Sequence, residues 1–170
     1  MAKIGIFYGS STGRTESAAL QIQKALGHGE VFNIAETELS LLNSFDILIL
    51  GTSTWGAGDL QDDWDSAQKK LAVANLKGKH VAFFGLGDQE SFPDTFLDGM
   101  GLLYEKIIDR GIHLLGTWPT DGYYFEASKA LVAGHFIGLA LDDDTQSSLT
   151  TERINRWTAA LKADIFKIYS

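Results

Sequence analysis

The sequence predicts an α/β fold: a doubly wound parallel sheet with helices on both faces. Three observations predict it. Short apolar runs alternate with segments of helical period, two of those runs are apolar without interruption, and 170 residues suffice for one substantial core. Right-handed crossovers would connect the strands.

Ile4 to Tyr8 reads as the first strand, followed by a helix with Ala18, Ile22 and Leu26 on one face. Glu30 to Ile34 is the second strand candidate. Ile47 to Leu50 is continuously apolar, as a strand covered on both sides should be. Asp62 to Ala72 reads as a short helix and Val81 to Phe84 as another buried strand. Phe96, Met100, Leu103 and Ile107 then recur at helical spacing. His113 to Leu115 is the fifth strand, broken by residues 117–136 before Ile137 to Leu141 resumes it. An unstructured loop of about twenty residues is uncommon in a compact domain, so this stretch reads as an insertion with order of its own. Ile154, Trp157, Leu161 and Ile165 form the stripe of a final helix. With no repeat, linker or low-complexity segment and only two prolines, Pro93 and Pro119, residues 1–170 read as a single domain.

A hydrophobic content of 45% and a charged content of 21% are ordinary for a globular protein. The net charge of -8 argues against nucleic acid or an anionic membrane as a partner and favours a basic one. With no cysteine, disulfides, thiolate metal sites and cysteine nucleophiles are excluded. The first residues make a poor signal peptide, and no apolar stretch approaches the roughly 20 residues of a membrane span. The chain reads as a soluble, cytoplasmic monomer.

In such a fold ligands sit beyond the carboxyl ends of the strands. The loop after Tyr8 is Gly9-Ser10-Ser11-Thr12-Gly13-Arg14-Thr15, opening a helix. Its hydroxyls, relaxed glycine backbone and helix dipole suit a phosphate. A Ser/Thr-rich helix cap, with Thr12 or Thr15 as the capping residue, is the alternative. The triphosphate loop G-x-x-x-x-G-K-[ST] does not match, since the spacing is one short and Arg14 stands in place of lysine. Gly85-Leu86-Gly87-Asp88-Gln89-Glu90 lacks the third glycine of the dinucleotide fingerprint. A phospho-receiver domain would need acids ending the first and third strands, where this chain has Tyr8-Gly9 and Gly51-Thr52. A cradle for a monophosphate remains.

The second loop is Thr52-Ser53-Thr54-Trp55-Gly56-Ala57-Gly58-Asp59 and the third is Gly85-Leu86-Gly87-Asp88-Gln89-Glu90-Ser91-Phe92. Trp55 either caps the core or stacks on a planar ring, with Gly56 letting the backbone approach that ring's edge. Trp55 and Phe92 could sandwich a flat heterocycle, and Asp88 would accept its imide N–H. Together the loops describe a phosphate, a linker and a flat ring.

With these residues in view the chain strongly resembles the long-chain flavodoxins. The resemblance rests on Ser10-Ser11-Thr12-Gly13-Arg14-Thr15 with Glu16, on Thr54-Trp55 and on Phe84-Gly85-Leu86-Gly87-Asp88-Gln89. It continues through Trp118-Pro119-Thr120-Asp121-Gly122-Tyr123 and Phe136-Ile137-Gly138-Leu139-Ala140-Leu141-Asp142. It implies a five-stranded flavodoxin-like sheet of order 2-1-3-4-5, the insertion splitting the fifth strand. It also implies noncovalent FMN and one-electron transfer at low potential through a stabilised neutral semiquinone. By resemblance, Ser10 to Thr15 hold the phosphate and Trp55 stacks on the isoalloxazine. The Gly56–Ala57 peptide lies near flavin N5, where its carbonyl can turn to accept the N5–H of the semiquinone. Asp88 lies at the N3 edge and Asp144 approaches the ribityl chain. Thr52, Ser53, Thr54, Gly58, Gly85, Gly87, Phe92 and Thr95 complete the expected cofactor-binding set. Phe92 stands where tyrosine is usual and keeps the stacking area without the hydroxyl, so FMN binding should survive with an altered potential. Thr95 replaces a frequent asparagine.

Acids cluster without bases at Asp59, Asp62, Asp63 and Asp65, and again at Asp88, Glu90, Asp94 and Asp98, with Asp142, Asp143 and Asp144 as a third group. A solvated face is the plain reading of each. As a group, they would oppose an anionic hydroquinone and steer the carrier to a basic partner. The resemblance implies partners such as ferredoxin-NADP reductase, photosystem I, nitrogenase or radical-enzyme activation systems. His28, His80, His113 and His135 are scattered without ligand spacing, and Asp142-Asp143-Asp144 lacks the spacing of a calcium loop, so no metal is expected. The chief rival function is an FMN-dependent NAD(P)H:quinone oxidoreductase, for which no catalytic base or nucleotide-binding loop is present. A flavin-storage or regulatory module is a third reading.

Overall fold

The computed structural model describes residues 2–170. In chain order, β1 (Ile4–Tyr8) leads to α1 (Arg14–Leu26), β2 (Glu30–Asn33) and β3 (Ile47–Trp55). A short β4 (Asp59–Leu60), α2 (Asp62–Leu71), β5 (His80–Leu86), α3 (Asp98–Ile107) and β6 (His113–Leu115) follow. Two short strands, β7 (Leu131–Val132) and β8 (His135–Phe136), precede β9 (Leu139–Leu141) and α4 (Thr150–Tyr169).

The main sheet runs β2-β1-β3-β5-β6 with parallel pairing throughout. β9 also pairs parallel with β5, one step further along: Ala82 faces Leu115 of β6, and Phe84 faces Leu139 of β9. β6 and β9 are therefore one strand interrupted by the insertion, and the principal strands follow the expected order 2-1-3-4-5. α1 packs against α4 and α2 against α3. Ile47 to Leu50 and Val81 to Phe84 are all 0% exposed, which accounts for their unbroken apolar sequence.

Three details depart from the sequence reading. The helix expected to include Phe96 begins at Asp98; Phe96 is buried in the turn before it, and Leu97 takes a left-handed φ of 61° to enter the helix. Between β2 and β3 lie two 3-10 turns, Ile34–Glu36 and Leu39–Ser44, each too short to show a helical period. The resumed strand starts at Leu139 rather than Ile137, because the Ile137 N–H is committed to the Ala130 carbonyl at 2.8 Å. At Gly138 the chain passes so close to β5 that a Cβ would sit 2.2 Å from the Phe83 carbonyl oxygen.

The insertion has order of its own, as expected. Trp118 and Phe136 exchange backbone hydrogen bonds at 2.9 and 2.8 Å, and β7 pairs antiparallel with β8. Tyr123 is its buried anchor: the hydroxyl accepts from Trp118 Nε1 at 2.8 Å and donates to the Ala140 carbonyl, and Arg153 of α4 lies over the ring at 4.1 Å. Among the described residues no helix is long and apolar enough to cross a membrane.

Candidate functional site

β1, β3, β5 and β9 end at one edge of the sheet, and the segments that follow them enclose a cleft of about 410 Å³. The first wall is the loop into α1. The Gly9 N–H bonds to the Gly51 carbonyl at 3.1 Å, and a Cβ at Gly9 would lie 2.3 Å from Gln61 Oε1 and 2.7 Å from Trp64 Cδ1. Only glycine fits this approach. Trp64, fully buried, fixes the same corner by donating Nε1–H to the Gly51 carbonyl at 2.7 Å. Gln61 donates to Ser11 Oγ at 3.1 Å, and the Gly13 N–H donates to Ser10 Oγ at 2.9 Å. Gly13 enters α1 at a φ of 87° and no side chain caps the helix. The helix-cap alternative therefore fails for Thr12 and Thr15, and the first-turn N–H groups are left for an anion. Thr15 is buried, while Ser11 to Arg14 are exposed.

The second wall is a hairpin the sequence reading did not foresee. β3 runs on past the sheet edge and β4 folds back on it, pairing Thr54 with Leu60 and Trp55 with Asp59. Gly56 and Gly58 make the turn with φ of 50° and 101°. A Cβ at Gly58 would lie 2.9 Å from Asp98 Oδ2 and 3.2 Å from Thr95 Cβ, so Thr95 braces the hairpin. The N–H of Gly99 in α3 holds Thr54 Oγ1 at 2.9 Å. Thr52 is wholly buried and donates its hydroxyl to the Ser53 carbonyl at 3.0 Å. Ser53 Oγ, on the cleft lining, is buried without a hydrogen-bond partner among the described residues.

The third wall follows β5. The Gly87 N–H bonds to the Leu141 carbonyl at 3.0 Å. Asp88 Oδ1 accepts the N–H groups of Glu90 and Ser91 at 3.1 and 2.9 Å, closing a turn that presents Phe92. Phe92 is 43% exposed and Trp55 42%, large values for such side chains, and both line the cleft. Leu86 adds an apolar surface between polar neighbours. Gly85 stands behind the wall, where a Cβ would meet Met100 Cβ at 3.0 Å.

From the fourth segment, Asp144 forms an ion pair with Arg14 across the cleft, which holds the guanidinium pKa above its ordinary value. Asp143 accepts the Thr150 hydroxyl. Below the first loop, the Tyr8 hydroxyl donates to Glu16; burial first, then that bond and the charges of Glu16 and Glu36, push its pKa up to about 12. Two acids expected on the rim are internal. Asp142 is 0% exposed, and Asp98 is 3% exposed, accepting the Lys129 N–H at 2.7 Å; burial raises the Asp98 pKa. Among the described residues no metal-ligating cluster forms.

Of the expected site residues, Thr12, Arg14, Ser53, Thr54, Trp55, Gly56, Gly87, Asp88, Phe92 and Asp144 line the cleft. Ser10, Ser11, Gly13, Thr15, Thr52, Ala57, Gly58, Gly85 and Thr95 belong to the adjoining loops and their supports. Leu86 and Asp143 line it as well, and Gln61, Gln89 and Asp142 support it; none of the five was expected to bind the cofactor, Asp142 and Asp143 having been placed only among the acids of the rim. Gln61 could have been suspected from its position just before an acid-rich helix start, where its Oε1 accepts the N–H groups of Asp63 and Trp64.

The family model described as flavodoxin matches residues 6–157. A flavodoxin of Picosynechococcus sp. is 47% identical over 165 residues, covering 95% of this chain and 97% of the relative. Flavodoxin 1 of Escherichia coli K12 is 45% identical over 168 residues, with 97% and 96% covered. Among solved structures, the Fusobacterium nucleatum flavodoxin bound to flavin mononucleotide superposes with a TM-score of 0.91 at 35% identity, covering 96% of this chain and 99% of that one.

Proposed function

The chain belongs to the flavodoxin family, and on that premise we propose that it is an electron carrier that holds one noncovalent FMN in the cleft and turns over no substrate of its own. The observation that carries this reading is the chemistry of the cleft among the described residues: a helix start with no side-chain cap, two half-exposed aromatic rings, and a buried hydroxyl without a partner.

Each residue has a task in this reading. The N–H groups and hydroxyls of Ser10 to Thr15 take the phosphate. Ser53 Oγ, costly to bury unbonded, gains a partner from the ligand. Trp55 and Phe92 cover the two faces of the ring and keep water from it, each stacked pair adding about 0.5–1.5 kcal/mol beyond burial. Asp88 keeps Oδ2 for the ring's imide N–H, because its Oδ1 is taken by Glu90 and Ser91. The Gly56–Ala57 peptide sits at the tip of a hairpin where a Cβ at Gly56 would meet only Asp59 Oδ2, at 3.3 Å, so the peptide has room to turn. When bound, the flavin supplies one-electron chemistry at low potential, cycling through a neutral semiquinone. Its partners are redox proteins with basic docking surfaces, drawn to the exposed acids around the cleft.

Adding FMN to flavin-free protein tests the cofactor reading. Flavin fluorescence should be quenched with one-to-one stoichiometry, and substituting Trp55 by alanine should weaken binding. Unquenched flavin, or equal affinity for a dinucleotide, would end the proposal.

A further inference from the structure

The cleft's third wall is held by a buried polar junction behind Asp88. Asp142 follows β9, is 0% exposed, and accepts hydrogen bonds from four protein donors. Its Oδ2 takes the Gln89 N–H at 3.0 Å, Gln89 Nε2 at 2.8 Å and the Thr145 hydroxyl at 2.6 Å, and Oδ1 takes the Thr145 N–H at 2.9 Å. Gln89, itself 2% exposed, spends its remaining acceptor on the Tyr124 N–H at 2.6 Å. Three segments meet here: the loop after β5, the loop after β9 and the insertion. Gln89 is the neighbour of Asp88, and Asp142 is flanked in sequence by Leu141, whose carbonyl holds the Gly87 N–H, and by Asp143, which lines the cleft.

A carboxylate accepts only, and here both oxygens are engaged, Oδ2 by three donors and Oδ1 by one. A buried polar network with its members bonded in this way rigidifies what it joins. We propose that Asp142 and Gln89 are positioning residues: they fix the Gly87–Phe92 loop so that Asp88 meets the ring's imide edge, and neither makes a hydrogen bond to the phosphate loop Ser10 to Thr15. This rests on the flavin reading above. It also assigns the insertion a part in the site, since Tyr124 completes the junction through Gln89.

The test is Asp142→Asn, read by NMR of bound FMN labelled with nitrogen-15. In the variant an amide oxygen can replace Oδ2, but the amide nitrogen then faces the Thr145 N–H, donor against donor, and the remaining bonds lose their charge assistance. The N3 resonance should move toward that of free FMN, the phosphorus resonance should stay where the unsubstituted protein puts it, and the Kd for FMN should rise about tenfold. Gln89→Leu, which keeps the backbone N–H bond to Asp142 but loses the Nε2 bond to Asp142 and the tie to Tyr124, should move N3 the same way by less. If Asp142→Asn does not fold, Gln89→Leu decides alone. An unmoved N3 resonance, or phosphorus and N3 moving together, overturns the proposal while the flavin reading stands. Absence of any bound FMN signal in the unsubstituted protein overturns both.

Discussion

His80 shows what single residues do away from the cleft. It opens β5 directly across from His113, with ring centroids 5.0 Å apart, and its Nδ1 lies 2.8 Å from the Tyr169 hydroxyl at the end of α4. The surrounding titratable groups are His113, Tyr169 and Asp46, whose charge helps burial raise the Tyr169 pKa. Burial, and then the neighbouring His113, hold the His80 pKa below its ordinary 6.5. A folded-state pKa below the unfolded one means the unfolded chain binds the proton first. The stabilising contribution is therefore complete above pH 6.5 and is lost as pH falls through the lower folded-state value. The melting temperature should drop as pH is lowered from 6.5, and His80→Asn should show a shallower drop over the same range. Parallel profiles for the two proteins would refute this. In the sequence these histidines are merely scattered, because strand register, not spacing, makes them neighbours. The same holds for Asp98 and Asp142: composition marks them as acids, and only tertiary burial separates them from the rim.

At the scale of elements, the sequence carried its signal wherever burial imposed a period. Ile47 to Leu50 and Val81 to Phe84 announced covered strands, and Ile154, Trp157, Leu161 and Ile165 announced α4, whose buried face they form. The split fifth strand was legible because an apolar run resumed after an interruption too long for a plain loop. What stayed hidden was shorter than a period. The β3–β4 hairpin rests on two paired positions, and the 3-10 turns on three and six residues. Yet that hairpin turns Gly56 and Gly58 from a loose loop into a constrained tip beside the cleft. The phosphate loop was legible in its residue types, while its dependence on α2, through Gln61 and Trp64 at Gly9, lay in a long-range contact with no local trace.

For the whole molecule, a net charge of -8 is a coarse number that the fold distributes. Asp142 and Asp98 are removed to the interior and Asp144 is partly neutralised by Arg14, so the acids left to act at range are the exposed ones such as Asp59, Asp62, Asp65, Glu90 and Asp94. Charges of this kind lose most of their reach beyond about 10 Å at 0.1 M salt. If these charges steer association, electron exchange with a redox partner should slow steeply as ionic strength rises, and a rate indifferent to salt would rule out steering by this surface. Whether the proposed FMN cleft carries electrons one at a time is decided by stepwise photoreduction of the FMN-loaded protein. A blue intermediate with broad long-wavelength absorption should form, followed by a second step at lower potential; direct passage from oxidised to fully reduced flavin would rule out one-electron cycling.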